Sequence, residues 1–154
     1  MTAVAKPIPE GYHTVTPYLI LSGAGDAITF YKNALGAEEV MRIGGPGGRV
    51  GHAEITIGDS RIMLADEHPE IQALSPKTIG GSPVSIHLYV EDVDTAVERA
   101  VKAGATLIRP VADQFYGDRV GGIEDPFGYR WFMATHKEDL TMDEIRRRAA
   151  AQGR

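Results

Sequence analysis

Cysteine is absent from the 154 residues. That excludes disulfides, thiolate nucleophiles and any Cys-based zinc or iron–sulfur centre, and it is compatible with a reducing cytosol. No apolar run approaches the roughly 18 residues that a membrane helix needs. The first ten residues hold one Lys and two Pro and no apolar stretch, so they do not read as a signal peptide. A basic excess is missing too. Sixteen Lys and Arg stand against 21 Asp and Glu, a net charge of −5, which argues against a dedicated nucleic-acid binder. What is present is ordinary for a globular chain: 43% hydrophobic and 24% charged residues, enough apolar surface to bury a core. The expectation is a soluble cytoplasmic protein of one compact unit, or of two small modules.

Periodicity gives a strand, a helix and three strands, then the same order again. Thr14–Leu21 alternates and is rich in β-branched residues. Asp26 is placed to cap a helix with the apolar stripe Ala27, Ile28, Tyr31 and Leu35, closed by Gly36. Strands follow at 37–43, 51–57 and 61–66, the last two joined by the hairpin signal Gly58-Asp59-Ser60. The second half opens with a strand over 84–90. A helix capped by Asp92 or Asp94 follows, with the stripe Val93, Ala96, Val97, Ala100 and Val101, and ends at Gly104. Strands at 106–111, 119–124 and 129–135 complete it, and Thr141-Met142-Asp143-Glu144 reads as a capping box opening a C-terminal helix. An offset of 69 lays Thr16 on Ser85 and Met63 on Phe132. The reading is α+β, with an N-terminal extension (1–13), a first βαβββ module (14–66), a linker (67–82), a second βαβββ module (83–136) and a C-terminal helix (137–154). The two modules are expected to form one curved mixed sheet around a cavity. Gly44-Gly45-Pro46-Gly47-Gly48 lacks the Lys-Ser/Thr and helix of a phosphate loop and reads as a mobile turn, a candidate flap.

Several segments carry a resemblance. They are Val15-Thr16-Pro17-Tyr18-Leu19, Phe30 to Ala37, His52-Ala53-Glu54-Ile55, Ser85 to Val90, Gln114 to Arg119, and Asp125 to Trp131. Together they resemble the vicinal-oxygen-chelate superfamily, which includes glyoxalase I, extradiol dioxygenases and the fosfomycin- and bleomycin-resistance proteins, and within it the PhnB-like branch. The resemblance implies the glyoxalase/bleomycin-resistance fold and a homodimer. It also implies four metal-ligand positions on the first and last strands of each half, which here are Thr16, Met63, Ser85 and Phe132. A thioether, a phenyl ring and two lone hydroxyls make no credible divalent-metal site, so no cofactor is expected.

Residues two apart on a strand share a face. With Ile86, Leu88, Val90, Ala53, Ile55 and Ile57 against the helices, the opposite face receives Tyr18, His52, Glu54, Arg61, Met63, Ser85, His87, Tyr89, Arg130 and Phe132. His52 and His87 either hydrogen-bond in a polar cavity or join Glu54 in a relocated two-His, one-carboxylate metal site. Glu54 and His87 are also candidate catalytic acid–base residues. In the 114–119 loop, Tyr116 and Arg119 either hold an anionic or planar substrate, or Asp118 and Arg119 pair with each other or with Glu124. Trp131 should lie in the core, His136 at the surface, and Arg146 to Arg148 around a solvated helix. Two function classes stay open. One is a module binding a small organic molecule in a cavity without the usual metal ligands, contacted by Tyr18, His52, Met63, Ser85, Tyr89, Tyr116, Arg119, Arg130 and Phe132. The other is a lyase, isomerase or dioxygenase using Glu54 and His87 or a relocated metal. Neither nucleic acid nor membrane is an expected partner.

Overall fold

The computed structural model describes residues 4–154. Residues 1–3 of the expected N-terminal extension lie outside the described part. The chain divides into two compact units, one reaching Gly81 and the other running from Ser82 to Arg154. Among the described residues, hydrogen bonding gives two four-stranded mixed sheets, one in each unit.

In the first unit, β1 (Tyr18–Leu21) leads into α1 (Ala24–Leu35), followed by β2 (Glu38–Gly44), β3 (Val50–Ile57) and β4 (Ser60–Asp66). The strand order is β1-β4-β3-β2, with β1 parallel to β4 and the other pairs antiparallel. β1 starts four residues later than the sequence suggests, because Pro17 has no N–H to give a ladder. Its carbonyl still accepts from Met63, and Thr16 falls outside the strand. One face of the sheet packs on α1, with Leu19, Leu21, Ala53, Ile55, Ile62 and Leu64 buried there together with Ala27, Ile28 and Tyr31.

The cap of α1 differs from the expected one. Gly23 is the N-cap residue, in a left-handed conformation, and no side chain of its own turn caps the helix; Asp26 lies inside the first turn. The capping carboxylate arrives from β4. Asp66 Oδ1 accepts from the backbone N–H groups of Gly23 (3.0 Å) and Ala24 (2.7 Å), and Oδ2 accepts from Val50 (2.8 Å). One side chain thus ties the ends of β4 and β1 to the start of β3 and satisfies helix donors that would otherwise be orphaned. Beyond Asp66 the expected linker is largely structured. It contains a 3₁₀ turn (Pro69–Ile71) and the short helix α2 (Pro76–Ile79), capped by Ser75.

The second unit repeats the plan: β5 (Ser85–Tyr89), α3 (Val93–Ala103), β6 (Thr106–Asp113), β7 (Asp118–Glu124) and β8 (Arg130–His136), ordered β5-β8-β7-β6, then α4 (Met142–Ala151). The register confirms the internal repeat. Tyr18 pairs with Met63 as His87 pairs with Phe132, each pair displaced by 69 residues. Asp92 caps α3 through the Thr95 N–H, and Thr141 caps α4 through Glu144. Val97 packs on the sheet where Gly121 leaves room, and Trp131, Met133 and Ile123 are fully buried on that side. Asp125 organises the turn before β8 by accepting from Phe127, Tyr129 and the Trp131 indole (2.9 Å each). Arg148 does not point into solvent as expected; it bonds Glu138, Glu144 and the Phe115 carbonyl, fastening α4 to the 114–117 turn.

Candidate functional site

The first sheet carries a polar network on the face turned away from α1. Register sets it up: Tyr18 lies opposite Met63, and Met63 opposite Glu54, so β1, β4 and β3 present these three side by side. His52 stands two residues before Glu54 on the same face. The Tyr18 hydroxyl lies 2.8 Å from His52 Nδ1, His52 Nε2 lies 2.9 Å from Glu54 Oε2, and Arg61 Nη1 donates to Glu54 Oε1 at 3.3 Å. An ionised carboxylate only accepts, so with a neutral imidazole Nε2 donates to Glu54 and Nδ1 accepts from Tyr18. Arg61 is held in turn by Tyr12, whose ring centroid is 4.6 Å from the guanidinium carbon. Glu54 is 8% exposed whereas Tyr18 is 47% exposed, so the network runs from a buried carboxylate to an open phenol. Burial of part of its ring holds the Tyr18 phenol above its ordinary range. Sequence parity placed Tyr18, His52, Glu54, Arg61 and Met63 on this face. Tyr12, inside the expected N-terminal extension, gives no periodic signal and escaped that reading.

On the second sheet, Ser85, His87 and Tyr89 alternate with the more buried Ile86 and Leu88, as parity predicts. Ser85 pairs with Arg130 and His87 with Phe132. Arg130 Nε donates to Glu124, and the His87 and Tyr89 rings meet edge to face at 5.1 Å. The Phe132 ring lies over Gly122, where a Cβ would come within 2.8 Å of it. Two candidates lie elsewhere. Arg119 shares the α3 side with Gly121 and Ile123, and its guanidinium bonds Asp94 (2.8 and 3.0 Å) and Asp113 (3.1 Å). Neither a ligand-facing Arg119 nor its pairing with Asp118 or Glu124 describes this arrangement. Tyr116 packs its ring against Phe115 in the turn before β7.

His136 is exposed, as expected, and carries two acidic partners that the sequence did not show. Asp118, 6% exposed, accepts from Tyr89 (3.1 Å) and from His136 Nδ1 (2.7 Å), while His136 Nε2 donates to Asp139 (2.7 Å). The signal is the register pair Asp118 and His136, legible only once β7 and β8 are aligned. The bonds to Asp118 and Asp139 hold His136 above its ordinary pKa, and the bond to Asp118 raises that of Tyr89. A raised folded-state value makes this stabilisation complete below the unfolded pKa, about 6.5, and removes it as pH climbs through the folded value. The melting-temperature gap between wild type and His136→Gln should therefore be widest below about pH 6 and shrink toward about pH 9. A gap that stays constant across that range overturns this assignment.

The metal positions implied by the resemblance do not fit a divalent ion. Thr16 precedes β1 and Ser85 offers a lone hydroxyl, Met63 offers a thioether, and Phe132 fills its place with a ring. The relocated site fares no better on chemistry. Both ring nitrogens of His52 are engaged in hydrogen bonds, with Tyr18 and with Glu54. Among the described residues no group of three or more His, Asp or Glu side chains is placed to hold a metal.

Two clefts of about 290 Å³ each lie in the first unit at the end of the sheet, sharing Arg49, Asp66 and Glu67 and bordered by the glycine-rich 44–48 turn. None of the candidate catalytic or ligand-binding residues lines either of them. Among the described residues no helix is long and apolar enough to cross a membrane.

Comparison with known proteins agrees with the repeat. Residues 13–133 match the family model of the glyoxalase/bleomycin resistance protein/dioxygenase superfamily. An uncharacterised protein of Mycobacterium tuberculosis is 39% identical over 142 residues, covering 90% of this chain and 84% of its own length. The crystal structure of an Arabidopsis thaliana gene product, At5g48480, aligns with a TM-score of 0.65 at 30% identity, over 80% of this chain and 98% of that one. A PhnB protein from Bacillus cereus shares the fold, with a TM-score of 0.60 at 20% identity over 80% and 99% of the two chains. With a repeated βαβββ plan and a family match spanning both modules, the chain belongs to the glyoxalase/bleomycin resistance protein/dioxygenase superfamily.

Proposed function

We propose that this chain binds a small organic molecule on the face of its first sheet turned away from α1, without a metal at the four positions that the resemblance implies. The observation that carries the reading is the buried Glu54, held by His52 and Arg61 next to the Met63 thioether. Convergent polar groups beside an apolar, polarisable side chain are what a ligand site requires. Thr16, Met63, Ser85 and Phe132 supply no hard donor set, which favours binding over the metal chemistry of other superfamily branches. Tyr18 and His52 are the remaining contact residues we assign on that face; Ser85, Tyr89, Arg130 and Phe132 are assigned to the corresponding face of the second sheet. Arg119 and Tyr116 are left out because Asp94, Asp113 and Phe115 already engage them. We further propose a PhnB-like homodimer acting in the cytoplasm.

The test pairs metal analysis of protein purified without chelators with a thermal-shift panel of aromatic and glycopeptide compounds. The expected result is substoichiometric metal and at least one compound that raises the melting temperature. A ligand at about 100 times its Kd adds roughly 2.7 kcal/mol. Met63→Glu, which sets a second carboxylate beside Glu54, should abolish the shift. Stoichiometric metal that disappears in both Glu54→Ala and His87→Ala, or a panel without any stabilising compound, overturns the reading.

A further inference from the structure

We propose that Tyr18, His52 and Glu54 form a proton relay in which Tyr18 exchanges a proton with the bound molecule, so that the site takes ligands bearing a weakly acidic hydroxyl or an activated C–H. This rests on the binding reading above and adds chemistry to it.

The order of the three groups is set by their hydrogen-bonding capacities. With a neutral imidazole and an ionised carboxylate, Glu54 accepts from Nε2 and Nδ1 accepts from the phenol. This is the logic of a hydroxyl–imidazole–carboxylate triad, here with a phenol at the outer end. The carboxylate is fixed through its second oxygen by Arg61, and Arg61 by Tyr12, so the inner end of the relay is positioned by two further residues. Exposure rises outward from Glu54 to Tyr18, placing the phenol where a ligand can reach it. The ring planes of Tyr18 and His52 are tilted by 57° at 5.4 Å, an arrangement of hydrogen-bonded neighbours and not of a packed stack.

The step balances without a co-reactant. The X–H bond of the ligand breaks and its proton joins the Tyr18 oxygen, while the original phenol proton passes to His52 Nδ1. The electron pair stays on the ligand as X⁻. The new imidazolium donates from both nitrogens, to Tyr18 and to Glu54. Retention of the proton on the relay is simple binding as an anion; its return to a different atom is an isomerisation. The Met63 side chain, in register between Tyr18 and Glu54, offers an apolar surface for the rest of the molecule.

The probe is 4-nitrophenol, whose anion absorbs visibly, added to the full chain at a pH where the free compound is mostly protonated. Binding should raise its ionisation constant at least about tenfold. His52→Gln and Glu54→Gln, read at saturating probe, should return the ionisation constant of the bound probe to the free value. Tyr18→Phe alters only an exposed hydroxyl, folds whatever becomes of the Glu54 variant, and should also abolish the change. A purely structural network would leave the probe's ionisation untouched. Binding without a change in ionisation, or a change that survives Tyr18→Phe, overturns the relay and leaves the binding reading standing. Failure of 4-nitrophenol to bind at millimolar concentration while other panel compounds bind overturns the proposed ligand class. Failure of the whole panel overturns the binding reading itself.

Discussion

Asp66→Ala should cost the first unit about 2–4 kcal/mol, the sum of a lost helix cap and a buried backbone donor left without a partner. The side chain accepts three backbone N–H groups from three places in the chain, at Gly23, Ala24 and Val50. The Gly23 turn has no capping side chain of its own to take over. Asp66→Asn separates the contributions. Its amide oxygen still serves the helix donors, but its NH₂ cannot accept from Val50, and the negative charge at the positive end of α1 is lost. The expected order in urea unfolding is wild type, then Asn, then Ala. If Asp66→Ala unfolds at the wild-type midpoint, the cap is not holding these segments together.

Trp131→Ala carries the largest expected effect in the second unit, about 3–5 kcal/mol. The indole is fully buried, and its Nε1–H donates to Asp125 Oδ2 at 2.9 Å. Truncation therefore opens a cavity and removes one of the three donors that order the turn before β8. Trp131→Phe keeps most of the volume but leaves the Asp125 oxygen without the indole, which should cost about 1–3 kcal/mol. Equal losses for the two variants in denaturant unfolding would mean that the hydrogen bond, and not the volume, dominates; the expectation is the reverse.

The repeat and the face assignments were legible in the sequence because they follow from short-range rules. An offset of 69 became the matched pairs Tyr18–Met63 and His87–Phe132. Alternation put Tyr18, His52 and Glu54 on one face, and the local caps at Asp92 and Thr141 appear as read. Long-range partners were not legible. Asp26 looks like a helix cap from its neighbours alone, whereas the true cap is 42 residues from Ala24 along the chain. His136 is exposed, as read, but its ion partner shows only when β7 brings Asp118 opposite it. Arg119 shows a third kind of miss. Its parity with Ile123 assigns it to the α3 side, but its charge suggested a ligand, and Asp94 on α3 resolves the choice. At Glu54 the sequence suggested His87 as the acid–base partner; the hydrogen bond within the first unit goes to His52.

The ring of Phe132 and the bare backbone of Gly122 are joined in a way that limits what either position can become. Adding even a methyl group at 122 would push against the ring at 2.8 Å, and exchanging the ring for an imidazole or carboxylate would uncover the patch of backbone it shelters. A side chain at 122 thus needs a smaller residue at 132, and the two positions are expected to change together.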